Sequence, residues 1–246
     1  MAWFRRKKGL TNSTPGARRQ VPEGLWVKCE ACKEIVYSKD LDKNDGVCPK
    51  CDFHFRIDAP NRIRLLLDEE PPGDLFPRLL PADPLKFVDS QPYRDRLRSH
   101  RERLGVDEGA VVVDGQLEGR RVVLAVMDFR FMGGSMGAVV GEKITRAVER
   151  AVERHQPLIV VSASGGARMQ EGVLSLLQMV KISAALARLR TVPLPYVSIL
   201  TDPTTAGVMA SFAMLGDLNI AEPGALVGFT GRRVIEQELA ALEPLG

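Results

Sequence analysis

The run PLIVV at 157–161 passes directly into SASGGARMQEG at 162–172. A short, continuous apolar segment of this kind reads as a strand buried on both faces, and the glycines after it as the turn into a helix. The same order recurs along the chain. AVVVDGQLEG and RRVVLAVMDF, around 110–128, are β-branched runs parted by Gly119 and read as adjacent strands. GGSMG at 133–137 then gives way to helical spacing, with Ile144, Ala147, Val148, Ala151 and Val152 on one face and Glu142 four residues before Arg146 on the outer face. After SGGA at 164–167 a further helix carries Val173, Leu176, Leu177, Val180, Ala184 and Ala187 at helical spacing. PYVSIL, a turn ending in TTAG at 204–207, the helix-like VMASFAMLGD and the short runs LNIA and ALVGF complete the series. This alternation defines an α/β body from 106 to 246.

Ahead of it stand Cys29, Cys32, Cys48 and Cys51, two CxxC pairs separated by fifteen residues. Each pair sets two thiolates on one tight turn, and two such turns complete a closed, tetrahedral four-sulfur zinc site whose role is structural. Two disulfides would need an oxidising compartment, which nothing in the chain suggests. The ribbon is placed at 25–58, with His54 and the aromatics of FHFRI packed beside the metal. Lys28, Lys33, Lys39, Lys43, Lys50 and Arg56 suit phosphates, but seven acids interleave with them, so protein docking or covering of a site is preferred to nucleic-acid binding. Residues 59–105 read as linking helices, with IRLLLDEE ahead of Pro71 and YRDRLRSHRERLG closing on Gly105 as a C-cap.

Charge adds little. Six of the 34 basic residues fall in the first twenty with no acid among them, leaving 28 against 31 acids in the rest. The net charge of +3 therefore resides in a flexible tail over 1–24, which has the basic start of a signal peptide but no apolar h-region. The longest uncharged stretch, Pro203 to Gly216, is too short to span a membrane.

The glycine turns limit the chemistry. No GxxxxGK[ST] or GxGxxG occurs, which sets aside the common nucleotide-binding loops. No GxSxG elbow occurs either, and of the three histidines His155 lies at the opposite end of the 158–162 strand from Ser164, so a serine triad is not expected. What remains is backbone: at Gly165 and Gly166 a substrate oxygen can approach N–H groups with no Cβ in the way, and the following helix adds its positive end, which is how an oxyanion hole is built. The alternative is that the glycines serve only a tight turn.

CEAC to CPKC, MDFRFMGGSMGAVVGEKI, SASGGARMQEG, LTDPTTAGV and SFAMLGDLNIAEPGALVGFTGRRVIEQ together resemble the β subunit of the carboxyltransferase component of bacterial acetyl-CoA carboxylase, over about residues 25–237. The resemblance implies a crotonase-like fold, a stacked β-β-α superhelix, behind an N-terminal zinc ribbon. It implies carboxyl transfer from carboxybiotin, held on a biotin carboxyl carrier protein, to acetyl-CoA, giving malonyl-CoA for fatty acid synthesis in the cytoplasm. The biotin ureido anion left after release of carbon dioxide then serves as the base, so no histidine is required. The implied partners are a homologous α subunit, in a heterotetramer of two α and two β subunits, the carrier protein, and the ATP-using biotin carboxylase. The implied catalytic residues are Gly165 and Gly166, towards the biotin oxygen. Gly133, Gly134, Thr205, Ala206 and Gly207 are implied to line the acyl-CoA and biotin channel, and Arg168 either contacts a ligand or pairs with a neighbour such as Glu171. The rival reading is a ribbon that binds nucleic acid on an inactive crotonase-like body.

Two departures stand out. Where the family has paired glycines after DPTT, this chain has Ala206 then Gly207, which is harmless unless the position needs a positive φ. After VIEQ the chain reads ELAALEPLG, where the family continues, so the end is expected to be missing or altered.

Overall fold

The computed structural model describes residues 25–230 and 236–237; the basic tail and the ELAALEPLG end lie outside these. The ribbon opens with two short antiparallel strands, β1 (Trp26–Lys28) and β2 (Ile35–Tyr37), followed by α1 (Ser38–Lys43). Helix α2 (Ala59–Leu66) starts at Asp58, whose carboxylate caps the Asn61 N–H at 2.8 Å, with Pro60 in its first turn where no amide donor is needed. Helix α3 (Tyr93–Leu104) ends at Gly105 in the left-handed region, φ 66°, as its sequence predicts.

The body is one six-stranded sheet. Strands β3 (Ala110–Leu117) and β4 (Arg120–Met127) pair antiparallel across the Gly119 turn. From β4 the sheet continues in parallel through β5 (Leu158–Ser164), β6 (Tyr196–Thr205) and β7 (Leu218–Ala221), while β8 (Val227–Gly228) pairs with the far end of β6. The crossovers are α4 (Ala138–Arg154) and α5 (Val173–Leu189), then α6 (Ala206–Val208) running into a π-helical turn at Met209–Ala213. TDPTT, expected as a turn, is the end of β6, so the strand delivers Thr205 directly to the helix start.

Every residue of β5 is buried, as a central parallel strand requires. Helix α4 buries Ile144, Ala147, Val148 and Ala151 against one sheet face, and its Glu142–Arg146 pair forms at 2.6 Å. On the opposite face, Ala59, Ile63 and Leu67 pack on Val113, Val122, Leu124 and Val126, so α2 is part of the body's core as well as a connector.

Helix α5 reverses the expected orientation of its apolar stripe. Its buried residues are Ser175, Gln178, Ile182, Ala185, Leu186 and Leu189, whereas Val173, Leu176, Leu177, Val180, Ala184 and Ala187 all face outward. Val180 is 66% exposed and Val173 61%, a continuous apolar strip on the surface. The helix is apolar on nearly every side, so spacing alone could not say which side meets the sheet.

The ribbon docks on the body by polar contacts. Arg56 donates to the Asp202 carbonyl at 3.0 Å and its carboxylate at 2.8 Å, and lies 4.4 Å over the Phe129 ring. Asp58 pairs with Arg130 at 2.9 Å. Buried Asp128 takes the Ala59 N–H at 3.2 Å and the Arg130 guanidinium at 2.6 Å. Burial works against ionisation of Asp128, but the hydrogen bonds from Arg130 and Ala59 outweigh it and hold the carboxyl below the usual carboxylate range. A folded pKa below the unfolded value of about 3.9 stabilises the fold above that pH, and the contribution is lost as pH falls through the folded value. Asp128→Asn is therefore expected to lower the melting temperature at pH 7, with the gap to the parent narrowing below about pH 4. Thermal melts of both proteins across that range check it; a gap that does not narrow would show that charge is not the source.

Candidate active site and metal centre

The four cysteine sulfurs lie within 4.8 Å of one another, Cys29 to Cys51 at 3.7 Å and Cys32 to Cys48 at 4.0 Å. A tetrahedral zinc with bonds of about 2.3 Å sets its sulfurs about 3.8 Å apart. The spacings match that geometry and are far too long for disulfides, near 2.05 Å. Leu41, Val36, Phe53 and Phe55 pack around the cysteines, so this small core is ordered by whatever holds the sulfurs together.

The glycine turns meet at the carboxyl ends of β5 and β6, where ligands bind in open parallel sheets. Gly134, at φ +62°, packs so closely on the next turn that a Cβ there would sit 1.9 Å from the Ala163 carbonyl oxygen. Gly165 donates its N–H to the Gly133 carbonyl at 3.0 Å, and Gly166 donates to Ser164 Oγ at 3.0 Å. Both donors expected to face a ligand are thus engaged inside the protein. Gly133 and Gly134 brace the SGG turn and are not among the residues lining the cavity beside it. Thr205 also braces, its hydroxyl donating to the Ser164 carbonyl at 3.2 Å.

That cavity, about 850 Å³ and open to one side, is lined by Gly165, Ala167, Ala206, Gly207, Ala210 and Ser211 from the turns, and by Leu176, Met179, Val180, Ser183, Ala184 and Phe229. Among the described residues that line it, none has an ionisable side chain. The histidines are elsewhere: His54 beside Glu222, His100 against Phe131, and His155 at the end of α4. Two residues of this lining carry backbone donors with no acceptor among the described residues. The Ala167 N–H meets no acceptor among the described residues, and the Gly207 N–H belongs to the first turn of α6, which has no intrahelical partner for it. The two positions are neighbours, a Cβ on Gly207 falling 3.8 Å from that of Ala167.

Ala206 sits at φ 51°, so the position does require the left-handed conformation that the family's glycine supplies. The strain is on the order of 1–2 kcal/mol. Its methyl points at Gly166, where an added Cβ would lie only 2.7 Å away, so the two turns interlock through one methyl and one missing one.

Arg168 is fully buried and spends all five N–H donors on the protein, the pairing with Glu171 that the sequence offered among them. Its guanidinium grips Glu108 at 2.5 and 2.9 Å, reaches Tyr93 Oη at 3.1 Å and Glu171 at 3.3 Å, and bonds Ser135 at its hydroxyl and carbonyl. Burial opposes the charge, and Glu108 more than restores it. Glu171, a partner expected from sequence, also accepts from Tyr93 Oη at 2.7 Å and from the Ala138 N–H at 2.6 Å, capping α4. Tyr93 and Glu108 went unnoticed in the sequence because they lie 75 and 60 residues away from Arg168 with no local pattern to join them.

Comparison with known proteins fits this geometry. The family model for the carboxyl transferase domain matches residues 83–243, and that for the acetyl-CoA carboxylase zinc finger domain matches 26–51. A Pseudomonas malonate decarboxylase hetero-dimer superposes with a TM-score of 0.56 at 29% identity, over 74% of this chain and 69% of that one. Transcarboxylase 12S, with methylmalonyl-coenzyme A bound, superposes at 0.59 and 26% identity, over 82% of this chain and 36% of that one. Fold and site therefore define an enzyme of the carboxyl transferase class with a crotonase-like body. The acetyl-coenzyme A carboxylase carboxyl transferase subunit beta of Pelobacter propionicus is 54% identical over all 246 residues, 87% of its own length. This chain belongs to that acetyl-CoA carboxylase subunit family, and the nucleic-acid reading is not favoured.

Chelation is expected to remove one metal ion per chain and unfold the ribbon while the sheet stays folded, since no cysteine enters the body's core. Hydrogen exchange resolved by segment checks it; exchange lost together in ribbon and sheet would show one cooperative unit. Ala206→Gly is expected to relieve the left-handed strain, offset by about 0.4–1 kcal/mol of added unfolded-state entropy. The net is a rise in melting temperature of at most about 2–4 °C, readable by calorimetry.

Proposed function

We propose that the cavity beside Ala167 and Gly207 is half of a composite active site, completed by a homologous α subunit, in which carboxyl transfer to acetyl-CoA runs on backbone electrostatics. The observation that carries this reading is the cavity wall itself: free backbone donors at the strand ends and no ionisable side chain among the described lining residues. Carboxybiotin on its carrier protein supplies both the carboxyl group and, once that group has left, the base. The chain's own task is then to stabilise negative charge on an oxygen, which the Ala167 and Gly207 N–H groups can do at fixed positions. The apolar walls from Leu176, Met179 and Phe229 keep water away and strengthen those donors. Arg168 holds the turn in place from behind.

The exposed strip on α5 supports the subunit pairing. Leu176 and Val180 line the cavity and also belong to that strip, so a partner covering the strip would close the cavity's open side. The hetero-dimer of the Pseudomonas relative is a precedent for such pairing. No helix among the described residues is long and apolar enough to cross a membrane, and a four-thiol metal site suits the reducing cytoplasm. We place the reaction there, in fatty acid synthesis, with biotin carboxylase regenerating the donor.

The test is malonyl-CoA formation by the chain reconstituted with an α-subunit homologue and a biotin derivative. Ala167→Pro removes an N–H that the fold does not use, so it is expected to cut turnover about a hundredfold or more with little change in melting temperature; a folded variant with full turnover would sink the donor assignment. Val180→Asp, on a solvent-facing position, is expected to leave the isolated chain's stability within about 0.5 kcal/mol and to weaken complex formation with the α subunit in sedimentation. Unchanged assembly would move the interface elsewhere.

A further inference from the structure

A second cavity, about 610 Å³, lies between α3 and the segment at 81–88, and shares no lining residue with the cavity beside Ala167 and Gly207. Helix α3 turns Tyr93 and Leu97 inward, onto Phe131. The adjoining face carries Arg94, Arg98 and Arg101, spaced four and three residues apart so that all three line the cleft, and Lys86 enters from the facing segment. Four cations thus converge on a space in the size range of small-molecule sites, roughly 300–1,000 Å³. Asp83 is the one acid among the described lining residues, and its carboxylate already accepts the Phe87 N–H at 3.0 Å. Outside the cleft, Asp95 approaches Arg94 and Arg98 only loosely, at 3.8 and 3.4 Å.

Two further features point to a ligand. Arg101 donates through Nε to the Asp107 carbonyl at 3.3 Å, but its Nη2 is buried with no partner among the described residues. A buried guanidinium N–H without an acceptor is costly, so a shift of the Arg101 side chain that brings it to an anion in the cleft is favoured. Val88, 63% exposed, joins Phe87 and Pro92 as apolar wall beside the cations. Beyond its first twenty residues the chain has more acids than bases, so this cleft stands against the background charge.

We propose that the cleft binds a nucleotide-class polyphosphate, with Lys86, Arg94, Arg98 and Arg101 on its phosphates and its planar base against Phe87 and Val88. Arginine suits this role through its fork of donors to phosphate oxygens. The same group occurs free and as the ADP end of coenzyme A.

The experiment titrates the full chain with a fluorescent ADP analogue, then competes it with ADP, coenzyme A and inorganic pyrophosphate. Arg94 and Arg98 are largely solvent-exposed, their side chains 75% and 62% accessible, so the double substitution Arg94→Ala with Arg98→Ala should fold normally, which a thermal melt confirms. Saturable binding that ADP displaces, and that the double variant weakens by about tenfold or more, is the expected result. A raised KM for acetyl-CoA at unchanged kcat in the same variant assigns the site to coenzyme A; an unchanged KM assigns it to a free nucleotide. Equal affinity in parent and variant, no binding at millimolar probe, or displacement by an RNA oligonucleotide but not by ADP would overturn the proposal. The titration needs no turnover, so its outcome is independent of the carboxyl transfer assay.

Discussion

The buried Arg168 guanidinium is the tie on which the site depends. It joins the loop ahead of β3 through Glu108, the start of α3 through Tyr93, the GGSMG turn through Ser135, and the start of α4 through Glu171. A buried ion pair adds little net stability against an apolar replacement, yet loss of one partner leaves an uncompensated charge and costs about 3–5 kcal/mol. The network therefore acts mainly as a specification. Few arrangements of these segments satisfy all five donors and both carboxylates, and the one that does places the SGG turn against the GG turn with a backbone contact only glycine permits.

From that scaffold follows the chemical character of the site. Ser164, a tempting nucleophile, is buried and both accepts from and donates to Gly166, so it shapes the turn and attacks nothing. The cavity presents fixed amide dipoles and apolar walls. With no ionisable side chain among its described lining residues, such a site can hold charge that appears elsewhere, as the proposed carboxyl transfer requires. The ribbon touches the same region from the other side, with Arg56 on the carbonyl and carboxylate of Asp202, three residues before Thr205. The four-cysteine ribbon is thereby coupled to the strand that leads to Gly207, the second of the proposed donors.

The exposed strip on α5 sits uneasily on a lone chain. Solvent-facing valines and leucines from Val173 to Val180, with Ala184 and Ala187 beyond them, are a cost to a monomer and a ready surface for a partner. The cavity and the strip share residues, so covering one encloses the other.

The sequence by itself determined the ribbon, because two CxxC turns are local and metal geometry admits few alternatives. It determined the strand, turn and helix order of the body, and α4's buried face, because a one-sided apolar stripe has only one way to dry itself. It located the right turns. What it could not assign was which amides within them remain free: Gly165 loses its donor to Gly133, a contact that exists only once β4 and β5 lie side by side, and Gly166 loses its own to Ser164 within the turn. It could not orient α5, whose apolar residues surround the helix, and it could not see that Arg168 is paired with a carboxylate 60 residues away. Local periodicity and spacing record what a segment does to itself; donor availability, burial of a charge and the choice of an outer face are settled by neighbours distant in sequence, and only the tertiary structure brings those neighbours together.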